Sequence, residues 1–185
     1  MCAAVQPLIS RRAALGGGAA LVLASCGGGD PPPGGGPAAG SGAGLLGSLA
    51  ALEHAAAAAW AAIAEELRGQ GRDYAGRIRE RELRHAERVS ELIRALGGEP
   101  PEGRTQQEYA PSFAQMRSES DALRFAADLE ERLVRAYLDA LRSLPDEEQR
   151  RAAAEIAAEE AEDLAVVHVL AGVPAAPQPF VTGTL

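Results

Sequence analysis

The sequence predicts an all-α protein, an antiparallel four-helix bundle with a long crossover between helices two and three. Three observations carry that expectation. Ala, Leu, Glu and Arg are abundant and aromatic residues make up 4% of the 185, a composition that favours helices over sheets. Four stretches repeat apolar residues at i, i+3/i+4 and i+7, the period of one helix face. The breaks between them run short, long, short, and a short break implies antiparallel neighbours.

The bundle does not begin at the N-terminus. Arg11-Arg12 follows Ser10 and precedes a Gly/Ala-rich run over residues 13–24, too short to span a bilayer comfortably, so residues 1–25 read as a cleaved export signal. Leu23-Ala24-Ser25-Cys26 resembles a bacterial lipobox, which implies lipidation of Cys26 and a membrane partner through that anchor. Residues 10–15 resemble a twin-arginine motif without its usual Phe, so twin-arginine and ordinary secretion routes both stay open. The expected address is the cell envelope, on the outer face of the cytoplasmic membrane. Loss of Cys2 with the signal leaves Cys26 alone, so stability comes from packing and not from a disulfide. Residues 26–44 are mostly Gly, Pro, Ser and Ala and read as a flexible tether, ahead of a domain over residues 45–185 that is long enough for one core. The formal charge is −8, and −10 once Arg11 and Arg12 are removed, with every basic residue an Arg. That acidity argues against nucleic acid as a partner.

Helix one is expected over residues 45–68, with Leu46, Leu49, Glu53, Ala56 or Ala57, Trp60, Ile63 and Leu67 on its stripe. Gly69-Gln70-Gly71 should end it. Helix two, residues 72–96, carries Ile78, Glu82, His85, Val89, Leu92 and Leu96 inward and stops at Gly97-Gly98. Residues 99–117 hold Pro100, Pro101, Gly103 and Pro111 and form the crossover, without clear helical periodicity; Tyr109, Phe113 and Met116 should tack it to the bundle side. Ser118 or Ser120 offers the cap for helix three, which runs to about Ser143 with Leu123, Ala126, Glu130, Leu133 or Val134, Tyr137, Leu141 and Leu144 inward. Asp146 and Gln149 have capping-box spacing at the start of helix four, whose stripe is Ala153, Ile156, Glu160, Asp163, Val167 and Leu170.

Each stripe is apolar except for acids and one imidazole. Glu82 and His85 are three residues apart, about 60° around a helix, so both leave one face. Buried ionisable groups need partners, and a metal ion is one such partner. The chain also repeats itself. Glu53 and Trp60 match Glu130 and Tyr137 at an offset of 77, while Glu82, His85, Val89 and Leu92 match Glu160, Asp163, Val167 and Leu170 at an offset of 78. Two helix pairs so related would pack about a pseudo-twofold axis and bring the four stripes together.

With this connectivity, repeat and Glu-x-x-His spacing, the chain resembles the ferritin-like superfamily, in particular exported bacterial ferritin-like proteins. The segment Pro179-Phe180-Val181-Thr182-Gly183 also resembles one that follows the fourth helix there. The resemblance implies a ferritin-like four-helix bundle with a dinuclear site of two iron or manganese ions. In it Glu53 and Glu130 are single-Glu ligands, Glu82 and His85 one Glu-x-x-His pair, and Glu160 with Asp163 the other. Asp163 departs from the expected His. It adds a fifth carboxylate, to be protonated, paired with an Arg, or offset by more highly charged ions. Arg81, Arg84 and Arg135 are near but fall off the stripes, and the Arg/Glu-rich run over residues 77–88 reads as a solvated face with i, i+4 pairs. His54 and His168 also fall off the stripes, and Trp60 and Tyr137 read as core packing.

Two functions stay open at this point. One is redox chemistry toward oxygen, peroxide or ferrous iron, implied by the resemblance. The other is a non-catalytic bundle whose metal site has decayed, serving as an envelope interaction or stress-protection module. The tether and anchor argue against a closed storage shell, and the expected state is a monomer or dimer.

Overall fold

The computed structural model describes residues 42–177. The expected signal segment, Cys26, residues 26–41 of the expected tether and the segment at residues 179–183 lie outside them. The described elements are α1 (Gly42–Glu66), α2 (Gly69–Ala95), a one-turn α3 (Gln106–Tyr109), a 3₁₀ turn (Ala110–Phe113), α4 (Glu119–Ser143) and α5 (Glu147–Leu170). Among the described residues there is no strand.

The boundaries follow local chemistry, and some differ from expectation. Helix α1 starts at Gly42 and not at Leu45, so the domain begins inside the expected tether. A Cβ on Gly42 would meet Pro145 Cδ and Gln149 Oε1, both at 3.4 Å, so this first turn lies close against the α4–α5 connection. The first hairpin turns at Leu67–Arg68, and Gly69 already opens α2 with φ +51°, a conformation that favours glycine. Helix α2 ends in a Schellman motif. Gly97 N–H donates to Arg94 O at 2.9 Å and Gly98 N–H to Ile93 O at 3.0 Å, with Gly97 at φ +75°. Leu96, expected on the buried stripe, is 50% exposed because it caps the helix and no longer faces the bundle.

Ser118 caps α4 by accepting from Asp121 N–H at 3.1 Å. Asp146 caps α5, accepting from Glu148 and Gln149 N–H at 2.9 and 3.1 Å. The return half of that capping box is not made, since Gln149 Oε1 has no donor. The crossover is more helical than its sequence suggests. Thr105 and Glu108 form a complete capping box, and Pro111 is tolerated in the first turn of the 3₁₀ segment, where its missing N–H costs nothing. Phe113 and Met116 are buried in the core and Tyr109 is half-buried against it, as anticipated.

The long helices pack as two hairpins, α1 on α2 and α4 on α5, joined by α1–α4 and α2–α5 contacts. Side-chain pairs give their directions. On α1 and α4, Glu53 meets Tyr137 and Trp60 meets Glu130, so one number rises as the other falls and the helices are antiparallel. On α2 and α5, Arg81 meets Asp163 and His85 meets Glu159, again antiparallel. The crossover must therefore run the length of the bundle. Buried apolar residues form two clusters. One holds Trp60, Ile63, Ile78 and Leu133; the other holds Leu46, Leu49, Val89 and Ile156. The acids and His85 belong to neither; on α1, α2 and α5 they fall between the two, while Glu130 on α4 lies between Leu129 and Leu133 of the first. Helix α1 is long and apolar enough to cross a bilayer, yet half of that window is buried in the bundle, consistent with a core helix.

Candidate metal centre

Every polar residue assigned to a stripe is inside. Glu53, Glu82, Glu130 and Glu160 have no exposed surface, Asp163 is 2% exposed and His85 is 5% exposed. Four of them converge. One ligand atom from each of Glu53, Glu82, His85 and Glu160 lies within 4.8 Å of the other three. Each comes from an apolar helix stripe, so packing of the flanking Leu, Ile and Val residues holds the carboxylates inward. Glu130 and Asp163 are buried in the same layer but are not part of that convergence.

His85 organises the group. Its Nδ1 is 2.8 Å from Glu160 Oε1, 3.7 Å from Glu82 Oε2 and 4.0 Å from Glu53 Oε2. Its Nε2 faces the other way, 3.1 Å from Glu159 Oε2, a carboxylate that is 49% exposed on the α2–α5 seam. With the proton on Nε2 donating to Glu159, the Nδ1 lone pair points into the carboxylates, the arrangement that orients a histidine ligand. Helix periodicity alone does not single out Glu159, which precedes Glu160 on the flank of α5.

Trp60 and Tyr137 do more than fill the core. Trp60 Nε1–H donates to Glu130 Oε1 at 2.7 Å, and Tyr137 O–H donates to Glu53 Oε1. Arg81, read from the sequence as solvent-facing, bends back so that Nη1 reaches Asp163 Oδ1 at 3.0 Å and Nε lies 3.8 Å from Glu159. Asp163 is thus paired with an Arg, one of the solutions open to a fifth carboxylate. Arg84 and Arg135 stay exposed, as expected. The surrounding ion pairs on α2, Arg88–Glu91 and Arg94–Glu87, are spaced i+3 and i+7, not i+4. His54 and His168 are half-buried and outside the group, as read.

Burial drives the carboxyl pKa values up. Glu82 is held well above the ordinary range by burial and by Glu160, Glu130 and Glu53. Burial does the same to Glu130, aided by Glu160 and Asp163, and to Glu160, aided by Glu53. Glu53 is raised by burial and drawn back by its Glu82, His85 and Tyr137 neighbours. Asp163 rises from 3.8 to about 6 through burial, with Arg81 and His85 opposing.

Six oxygens in this layer have no hydrogen-bond donor: Glu53 Oε2, both of Glu82, Glu130 Oε2, Glu160 Oε2 and Asp163 Oδ2. Buried polar atoms are normally satisfied. Five acids and one imidazole with unspent acceptors fit a hard or borderline cation that takes oxygen and nitrogen together.

An antiparallel helical bundle with one long crossover and a buried carboxylate–histidine layer defines the ferritin-like class. The chain belongs to the ferritin-like domain family, which matches residues 43–173. It is similar in structure to a Dps mutant from Listeria innocua, with 14% identity, 73% of this chain and 96% of that chain covered, and a TM-score of 0.61. At that identity the likeness shows the fold. No curated protein matches the chain.

Proposed function

We propose that this bundle is an iron- or manganese-binding protein of the cell envelope. One observation carries the reading: the layer of donorless carboxylate oxygens around the convergence of Glu53, Glu82, His85 and Glu160. Without a cation these acids lie close together in an apolar core and must protonate, admit water, or pair with an Arg as Asp163 does with Arg81. Carboxylates with one imidazole suit iron and manganese and do not favour soft-metal sites.

A bound ion would supply redox chemistry toward oxygen, peroxide or ferrous iron. The chain's residues would hold and shield it. Glu53, Glu82 and Glu160 would be oxygen ligands and His85 the nitrogen ligand, with Glu130 and Asp163 in the same layer. Tyr137 and Glu159 would fix the orientation of Glu53 and His85. The apolar clusters on either side would exclude water, leaving the α2–α5 seam at Glu159 as the approach from solvent. Export through residues 1–25 and lipidation of Cys26 would place this chemistry outside the cytoplasmic membrane.

The test is elemental analysis of the purified protein expressed with iron and manganese available. The expected result is stoichiometric metal that Glu82→Ala abolishes. Metal near zero, unchanged by the substitution, would remove the reading and leave the non-catalytic bundle. Membrane fractionation of Cys26→Ser tests the anchor, with release from the membrane expected.

A further inference from the structure

The repeat makes the two sides of the site directly comparable. At the offset of 78, Arg81 corresponds to Glu159, Glu82 to Glu160 and His85 to Asp163. The contacts are reciprocal. His85 Nε2 meets Glu159 Oε2 at 3.1 Å, and Asp163 Oδ1 meets Arg81 Nη1 at 3.0 Å. The same pair of positions is therefore filled twice with the charges exchanged. On one side an imidazole is backed by a carboxylate; on the other a carboxylate is backed by a guanidinium.

Resting on the metal-binding reading, we propose that the chain holds a single ion, ligated by Glu53, Glu82, His85 and Glu160, and that the Arg81–Asp163 pair keeps a second ion out. Charge alone does not decide this. Two divalent ions and Arg81 would carry five positive charges against the five carboxylates of Glu53, Glu82, Glu130, Glu160 and Asp163. Geometry decides it. The ligand atoms that converge within 4.8 Å gather around His85 and include Glu160 but not Asp163. Around Asp163 there is no nitrogen ligand among the described residues, and Asp163, a methylene shorter than Glu, has Oδ1 held by Arg81 at 3.0 Å, which leaves Oδ2 as its one unpaired oxygen. A guanidinium does not lose its proton in proteins. It is a resident cation in contact with the acid that a second ion would need. The first side has the opposite arrangement: with Glu159 accepting from Nε2–H, the Nδ1 lone pair is aimed at Glu160, Glu82 and Glu53, where an ion would sit.

The experiment uses the full chain, purified and stripped of metal, then titrated with Mn²⁺ by calorimetry and followed by electron paramagnetic resonance. The unmodified chain should bind one Mn²⁺ and show the resolved hyperfine pattern of an isolated ion. The double variant Arg81→Glu/Asp163→His copies the first side's pair onto the second. It should bind two Mn²⁺ and show a broadened, exchange-coupled signal, with helicity checked by circular dichroism. Two ions in the unmodified chain overturn the inference, and that result needs no variant to fold. One ion in both folded proteins overturns the role given to Arg81 and Asp163. No ion in either overturns the metal-binding reading itself.

Discussion

Trp60 Nε1–H donates to Glu130 Oε1 at 2.7 Å, across 70 residues of sequence, and this bond is one half of a crossed pair. Trp60 lies seven residues after Glu53 on α1, and Tyr137 seven residues after Glu130 on α4. Each aromatic donor serves the other helix's acid, because α1 and α4 run antiparallel and a two-turn spacing on one matches the reverse spacing on the other. The repeat seen in the sequence thus becomes a reciprocal contact. Trp60→Phe keeps most of the buried apolar surface and removes the donor. In metal-free protein it should cost about 1–3 kcal/mol, the range for leaving a buried acceptor unmade. Urea denaturation measures it, and a midpoint equal to the unmodified protein's would contradict the pairing.

Glu159 should act on metal and hardly on the fold. Its carboxylate is half-exposed, so Glu159→Ala removes little packing. The substitution frees the imidazole orientation, and losing such an outer partner lowers metal affinity by about 10–100-fold. Calorimetric titration checks the affinity, and thermal melting of the metal-free form should stay close to that of the unmodified chain.

The pH dependence of the metal-free protein follows from the direction of the carboxyl shifts. A carboxyl raised in the folded state holds its proton more tightly folded than unfolded. Its stabilising contribution is complete below the unfolded pKa and is lost as pH rises through the folded one. For Asp163 that window runs from 3.8 to about 6. Glu82, Glu130 and Glu160, raised well above their ordinary value, extend the loss to higher pH. The metal-free melting temperature should therefore fall as pH rises from 3.8 through about 6, and go on falling above it. Metal competes with these protons, so the increment from added Mn²⁺ should grow over the same range. A metal-free melting temperature that climbs from pH 5 to pH 8 would contradict this.

The apolar clusters flanking the site carry the stability. Leu133 is fully buried in the cluster that holds Trp60 and Ile63. Leu133→Ala should cost about 2–5 kcal/mol in chemical denaturation, from lost transfer and the cavity left behind.

The Asp146 cap gives a purely local prediction. Asp146→Ala leaves the N–H groups of Glu148 and Gln149 without the side chain that accepts from them, and should cost about 1 kcal/mol. Metal stoichiometry should not change, since Asp146 lies at the helix start and away from the acids.

Much of the bundle is legible in the chain because helix periodicity is a local property. Leu46, Leu49, Glu53, Trp60 and Ile63 sit at spacings that one face of a helix must share, and all are buried. The same arithmetic places Glu82, His85, Glu130, Glu160 and Asp163 inside. Helix ends are less legible. Helix α1 starts at Gly42, beside Pro145 and Gln149, neighbours that local sequence does not encode.

Arg81 and Glu159 mark where periodicity stops being enough. Each precedes a buried Glu and by spacing belongs to the flank. The 78-residue offset that pairs them was present in the chain as a signal. Their length lets the side chains reach back to the seam between α2 and α5, where the partner helix supplies the opposite charge.

The sequence by itself determined four helices, which face of each turns inward, and that acids with one imidazole lie on those faces. Those follow from 3.6 residues per turn and from the cost of exposing apolar stripes. Tertiary structure alone decided which of the buried groups meet. Glu53, Glu82, His85 and Glu160 converge, while Glu130 takes the Trp60 donor and Asp163 takes Arg81. That choice rests on distances between side chains on different helices, which the packing of α1, α2, α4 and α5 sets.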